Sequence, residues 1–223
     1  MKYRNITKGK FLSRPNRFVA YAEIDGRIEK CHVKNTGRCR ELLTEDCTVY
    51  LERVRDPQRK TRFDLVAVEK GERLINMDSY APNKAAGEFL PKLFPGGKIR
   101  PEYTWGDSRF DFYIEQNNEK ILLEVTGVTL DNDGTAMFPD APTERGVKHI
   151  NGLVKSLEAG YRAYILFVVQ MSGVRYFVPN DEMHPEFGAA LRKAEKAGVN
   201  ILAYDCIVTP ESMEINQSVE VRL

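Results

Sequence analysis

Two carboxylates set inside apolar, strand-like runs are the first residues of this chain that call for chemistry: Asp111 in "SRFDFYIE" and Glu124 in "ILLEVTGV". A carboxylate among buried neighbours must find a cation or hydrogen bonds. If the two runs are adjacent strands, their oxygens converge at one end of a sheet. With a backbone carbonyl, such a pair makes a hard anionic site suited to Mg²⁺ or Mn²⁺, either of which can activate a water against a phosphodiester. Glu88, on the preceding helical segment, is a third candidate ligand. The plainer alternative is an ordinary ion pair at a sheet edge, with Arg109 or Arg145 as partner.

Cations are available in two places. In "TERGVKHINGLV" Arg145 and His149 stand four residues apart, so on a helix they share a face beside the apolar stripe of Val147, Ile150 and Val154. That face can offer charge to a phosphate, or it is a solvated helix surface carrying a histidine. In the front of the chain, "SRPNRF", "NTGRCR" and "PQRKTRF" gather Arg14, Arg17, Arg38, Arg40, Arg59, Lys60 and Arg62 around turns, with Phe18, Tyr50 and Phe63 nearby. Cations meet phosphates and rings stack on bases, so this mixture suits a nucleic-acid groove. Charge is divided in the same sense: residues 1–80 hold 18 Lys and Arg against 12 Asp and Glu, while the whole chain carries only +1. A basic front half implies a polyanionic partner read mainly by one domain.

The elements that must position these groups fall into two sets. Over residues 1–80, "NRFVAYAEID" and "GRIEKCHVKN" are joined by Asp25-Gly26, a hairpin signal. "CTVYLERV", "TRFDLVAVEK" and "RLINMDS" follow, with a short helical piece expected at "CRELL". Five short strands suit a small closed barrel of the oligonucleotide/oligosaccharide-binding (OB) type. Over residues 81–223 the pattern becomes helix, strands, helix, strand, helix, strand, an α/β domain with a mixed sheet (α+β overall with the barrel). Asn83 is placed to cap the first helix, and Pro91 predicts that this helix is short or kinked. "DNDGTAMFPDAP" reads as a loop, and the continuously apolar "YRAYILFVVQ" as a central buried strand.

At 223 residues with 42% hydrophobic and 29% charged side chains, the chain is long enough for two modest domains and excludes disorder and fibrous repeats. Its longest apolar run, "AYILFVV", is far short of the roughly 20 residues that span a bilayer. The first residues lack a signal-type apolar core, so no membrane partner and a cytoplasmic location are expected. Cys31, Cys39, Cys47 and Cys206 include no C-x-x-C pair and read as free thiols.

Taken together and in order, "FLSRPNRF", "CHVKNTGRCRELL", "RKTRFDL", "APN", "SRFDFYIE", "EVTGVTL" and "FPDAPTERGVKHINGL" resemble the sugar fermentation stimulation protein A (SfsA) family along nearly the whole chain. That resemblance implies an amino-terminal OB-like barrel and a carboxy-terminal domain similar to the PD-(D/E)xK nuclease fold. It further implies DNA as partner, bound largely without sequence preference, and a regulatory role in sugar metabolism; a homo-oligomer is left open. The family motif's aspartate and glutamate fall on Asp111 and Glu124, with Mg²⁺ or Mn²⁺ as the implied metal. Its lysine, which would activate the attacking water and stabilise charge on the phosphate, falls on Thr126. Threonine suits a strand but carries no charge. Lys148 or Arg145 from the neighbouring helix could supply the cation instead, with His149 a weaker candidate, so Lys148 joins Asp111 and Glu124 as a candidate catalytic residue. Two functions follow: DNA binding on a nuclease-like scaffold, or a metal-dependent nuclease with a variant site. Lys34 and Asp46 depart from the family's usual proline and glycine and read as tolerated turn variants.

Overall fold

A computed structural model describes residues 1–35, 37–56 and 58–223; Thr36 of "NTGRCR" and Pro57 of "PQRKTRF" lie outside the described residues. The chain opens with β1 (Ile6–Asn16), β2 (Val19–Ile24), β3 (Arg27–Val33), β4 (Thr48–Arg53), β5 (Phe63–Lys70) and β6 (Arg73–Asn76). β1 pairs antiparallel with both β2 and β4, β2 with β3, and β4 with β5. A parallel pairing of β3 with β5 then closes the ring. The resulting order 1-2-3-5-4-1 is the closed, Greek-key OB arrangement the sequence predicts.

One of its staves was hidden. The five runs read from the sequence are β2 to β6, whereas the barrel's first strand is "ITKGKFLSRPN", which lacks period-two alternation. Its fit depends on close approach: a side chain at Gly9 would stand 2.9 Å from the Glu23 carbonyl and 3.0 Å from Leu51. β6 is therefore a sixth strand added to the edge of β5. "CRELL" forms a single turn closed by Leu43 N–H to the Cys39 carbonyl, in place of a helix.

Helix α1 (Ala81–Leu93) follows, then β7 (Lys98–Trp105), β8 (Ser108–Gln116), β9 (Glu119–Val128), β10 (Leu130–Asn132) and β11 (Thr135–Phe138). The remainder is α2 (Glu144–Glu158), β12 (Arg162–Val169), β13 (Tyr176–Pro179), α3 (Pro185–Ala197), β14 (Asn200–Thr209), β15 (Ser212–Ser218) and β16 (Glu220–Val221). Six strands form a mixed sheet in the order β15-β14-β12-β9-β8-β7, with β12 running parallel to both β9 and β14. The buried "RAYILFVV" thus occupies the central position its composition predicts. β10 and β11 make a short hairpin within the segment read as a loop, and they join β13 and β16 in a small second sheet.

Each face of the six-stranded sheet is covered. On one side Ala85, Ala86 and Leu90 of α1 pack over Phe112, Leu123 and Val125. On the other, Ile150 and Leu153 of α2 pack with Leu122, Ile165 and Phe167. α1 runs through Pro91 for 13 residues, because proline so near the end forfeits only the bond to Gly87. Among the described residues no helix is long and apolar enough to cross a membrane. Cys31, Cys39 and Cys206 are buried and Cys47 is partly so; all four are free thiols.

Lys34 proves to be more than a turn residue. Its ammonium lies 3.1 Å from Asp78, 3.3 Å from Asp64 and 3.9 Å from Glu52. Asp64 and Asp78 are almost wholly buried, at 3% and 0% exposure. Burial works against the lysine's charge, but Asp78 and then Asp64 outweigh it and hold its pKa above the ordinary value. Asp78 belongs to the connection between barrel and α1, and also accepts from Tyr3 Oη at 3.3 Å. The barrel is thereby tied to the start of the second domain.

Candidate carboxylate site and basic cleft

Pairing of β8 with β9 runs from Gln116↔Glu119 to Phe112↔Leu123. At the next position the backbone parts, and the Asp111 carboxylate takes the place of a ladder partner by accepting from Val125 N–H at 2.7 Å. The chain turns over at this point: Phe110 packs in the core under α2, whereas Phe112 packs in the core under α1. Asp111 is thus held where the β8–β9 ladder ends, on a strand interior to the sheet. Its second oxygen accepts from Asn83 Nδ2 at 2.6 Å. Asn83 is the third residue of α1, whose N-cap is Tyr80, so its amide serves Asp111 and does not cap the helix.

Glu124 projects from β9 to the α2 side, where His149 Nδ1 contacts its Oε1. The sequence offered His149 as a residue beside the apolar stripe; the structure buries it, at 8% exposure, against a 9% exposed glutamate. The other oxygen, Oε2, is buried without a hydrogen-bond partner. Burial is the main cause that raises the Glu124 pKa, opposed by His149, reinforced by the Asp111 charge and opposed again by Arg145. Burial likewise raises Asp111, against the Val125 N–H, Asn83, His149 and Arg145. The exposed Arg145 is therefore near enough to act on both carboxylates through space.

Two sequence candidates are not brought here. Glu88, in the middle of α1, turns to another face of the helix, where its carboxylate takes the Met1 ammonium at 2.6 Å. Five residues past Asn83 is nearly one and a half helical turns, which points its side chain away from Asp111. Lys148 lines a separate groove of about 480 Å³ with Trp105, Asp107 and Glu144. Thr126 stays half-buried on the Glu124 face of β9, in register with Phe167 of β12. The group touching Glu124 is His149, the candidate the sequence ranked last.

The basic residues of the barrel divide. Arg14, Arg17, Arg38 and Arg40 line a cleft of about 930 Å³ between the barrel and the second domain. Its far wall is formed by Gly127 and Thr129 at the end of β9, Gln170 just after β12, and the 138–143 segment that leads into α2. The ends of parallel strands are where open α/β sheets bind ligands. Arg14 is a brace: its guanidinium donates to the carbonyls of Asn35, Arg38 and Arg17 at 2.7, 2.8 and 2.9 Å. It fixes the two turns from which Arg17 and Arg38 project. Arg17, Arg38 and Arg40 are exposed, and among the described residues none makes an ion pair. Arg59, Lys60 and Arg62 lie outside the cleft; Arg59 pairs with Asp64 at 2.5 Å and Arg62 with Glu29 at 2.8 Å.

An OB-like barrel joined to a mixed-sheet α/β domain, with an acidic strand pair and a basic cleft between the domains, defines a class of two-domain proteins. Residues 12–77 match the family description "SfsA N-terminal OB domain", and residues 80–212 match "Sugar fermentation stimulation protein RE domain". The chain belongs to the sugar fermentation stimulation protein (SfsA) family. It is 55% identical over 226 residues to a sugar fermentation stimulation protein homolog of Ruminiclostridium cellulolyticum, covering 100% of both chains. A homolog from Clostridium beijerinckii is 53% identical, again over 100% of both. Among solved structures it is similar to Pyrococcus furiosus SfsA in complex with Ca²⁺, with a TM-score of 0.88 and 30% identity over 100% of this chain and 98% of that one.

Proposed function

We propose that this protein binds nucleic acid, DNA in particular, through its phosphate backbone in the cleft between the domains, largely without regard to sequence. The observation that carries this reading is the set of three exposed guanidiniums, Arg17, Arg38 and Arg40, on one wall of a 930 Å³ cleft in which Asp140 is the single acidic side chain among the described lining residues. Unpaired cations release bound counterions from a polyanion, which gives affinity without base reading. Such binding would be the physical means of the regulatory role that the family's name suggests. Fluorescence anisotropy with mixed-sequence and scrambled oligonucleotides tests it. Equal, salt-sensitive affinities are expected for both, and replacing the three arginines by alanine should weaken binding at least a hundredfold. Binding that survives the triple replacement contradicts the reading.

A second reading, metal-dependent phosphodiester hydrolysis, rests on the unpartnered Glu124 Oε2. A buried carboxylate oxygen without a donor beside a second half-buried carboxylate is a fit for a hard divalent cation. Among the described residues no group of three His, Cys, Asp or Glu side chains is arranged around a metal. Asp111 and Glu124 would therefore be the side-chain ligands of Mg²⁺ or Mn²⁺, ions that keep several waters. The Ca²⁺ held by the Pyrococcus furiosus relative is a cation of the same hard kind. The metal would activate water and polarise the phosphate. Asn83 and the Val125 N–H fix the direction of the Asp111 oxygens, and His149 fixes Glu124. Incubation with labelled DNA and RNA in Mg²⁺ or Mn²⁺ should give cleavage that Asp111→Asn abolishes. Equal cleavage by the variant would assign the activity to a contaminant.

A further inference from the structure

We infer that the strand held in the cleft is single, and that Phe18 and Tyr80 stack on its bases. This deepens the binding reading above and rests on it. Four large hydrophobic side chains are exposed among the described residues: Phe18 at 55%, Tyr80 at 64%, Ile28 and Ile207. The two aromatic ones stand at the rim of the cleft, each directly following a residue that lines it, Arg17 and Ser79. Phe18 follows Arg17 at the β1–β2 turn, held there by its N–H bond to Asn16 Oδ1 at 2.9 Å. Tyr80 stands between Ser79 and Pro82, both of which line the cleft, and Ser79 Oγ donates to the Lys34 carbonyl beside the turn that carries Arg38.

Neither ring is explained by the fold. Tyr80 is the N-cap of α1, yet its side chain makes no capping bond. An exposed ring costs contact with water and contributes nothing to the core. Beside cations, a ring provides a surface on which any base can stack, and stacking is tolerant of sequence because every base has a π face. A duplex hides those faces. Duplex readers also project a helix or ribbon into a groove of the DNA, whereas the arginines of this protein line a concavity. Tyr80 further lies one helical turn before Asn83, which holds Asp111.

The test is anisotropy with one labelled oligonucleotide, used as a single strand and as a duplex. The wild type should bind the single strand about tenfold more tightly, and Phe18→Ala and Tyr80→Ala should each weaken that binding about tenfold. Their salt dependence should be unchanged, since no phosphate contact is lost. Phe18→Tyr and Tyr80→Phe should retain wild-type affinity. Thermal melts confirm folding, which two exposed side chains should not disturb. Binding that depends on Arg17, Arg38 and Arg40 but not on either ring, or that favours the duplex, overturns this inference and leaves the binding reading standing. Absence of any arginine-dependent binding overturns both.

Discussion

Two groups of arginines stand on the same barrel, and their surroundings differ in kind. Arg59 and Arg62 are each answered by a carboxylate, Asp64 and Glu29. Arg17, Arg38 and Arg40 project into a cleft with no ion-pair partner among the described residues, and both terminal nitrogens of Arg14 are engaged in positioning two of their turns. Sequence density alone treats the groups as equals. Pairing separates charge that holds the barrel from charge left free for a ligand.

The largest effect expected on the structural side comes from Lys34, whose ammonium faces three carboxylates with Arg59 close by. Lys34→Met should destabilise the protein by about 3–5 kcal/mol, since it leaves buried carboxylates unanswered. Chemical denaturation followed by tryptophan fluorescence measures this. The same pairing sets a pH dependence. Because the native lysine pKa is raised, its contribution is complete below the ordinary value of about 10.4 and is lost as pH rises through the higher native value. Wild-type stability should therefore fall above about pH 10.4 more steeply than that of Lys34→Met.

Arg59→Ala should cost less, about 1–3 kcal/mol, because Asp64 keeps Lys34. It should leave nucleic-acid affinity within twofold of wild type. Smaller still is Arg62→Ala, whose arginine is 64% exposed; a loss below about 1 kcal/mol is expected from urea titration. A marked loss of affinity in either variant would erase the division between the two groups.

The carboxylate pair shows how far such contrasts were readable beforehand. Asp111 and Glu124 stand out in the sequence because a charge interrupts an apolar strand, and the elements that carry them, β8, β9 and the central β12, follow from composition. What surrounds the pair does not follow, because it comes from elsewhere in the chain. Asn83 lies 28 residues before Asp111, and its helix-start position suggests a cap equally well. His149 lies 25 residues after Glu124, on a helix whose rotation decides whether it or Lys148 meets the sheet. Lys34 is read as a turn variant because its main counter-ion, Asp78, is 44 residues away. β1 escaped because its fit depends on a close approach at Gly9, a property of the folded barrel rather than of the segment.

The most direct test of the account is the salt dependence of nucleic-acid affinity for the wild type and for Arg17→Ala/Arg38→Ala/Arg40→Ala. If the three free guanidiniums each neutralise one phosphate, the slope of log affinity against log salt should become shallower by about 3 in the variant. An unchanged slope would mean that the polyanion is held elsewhere and that the cleft is not its site.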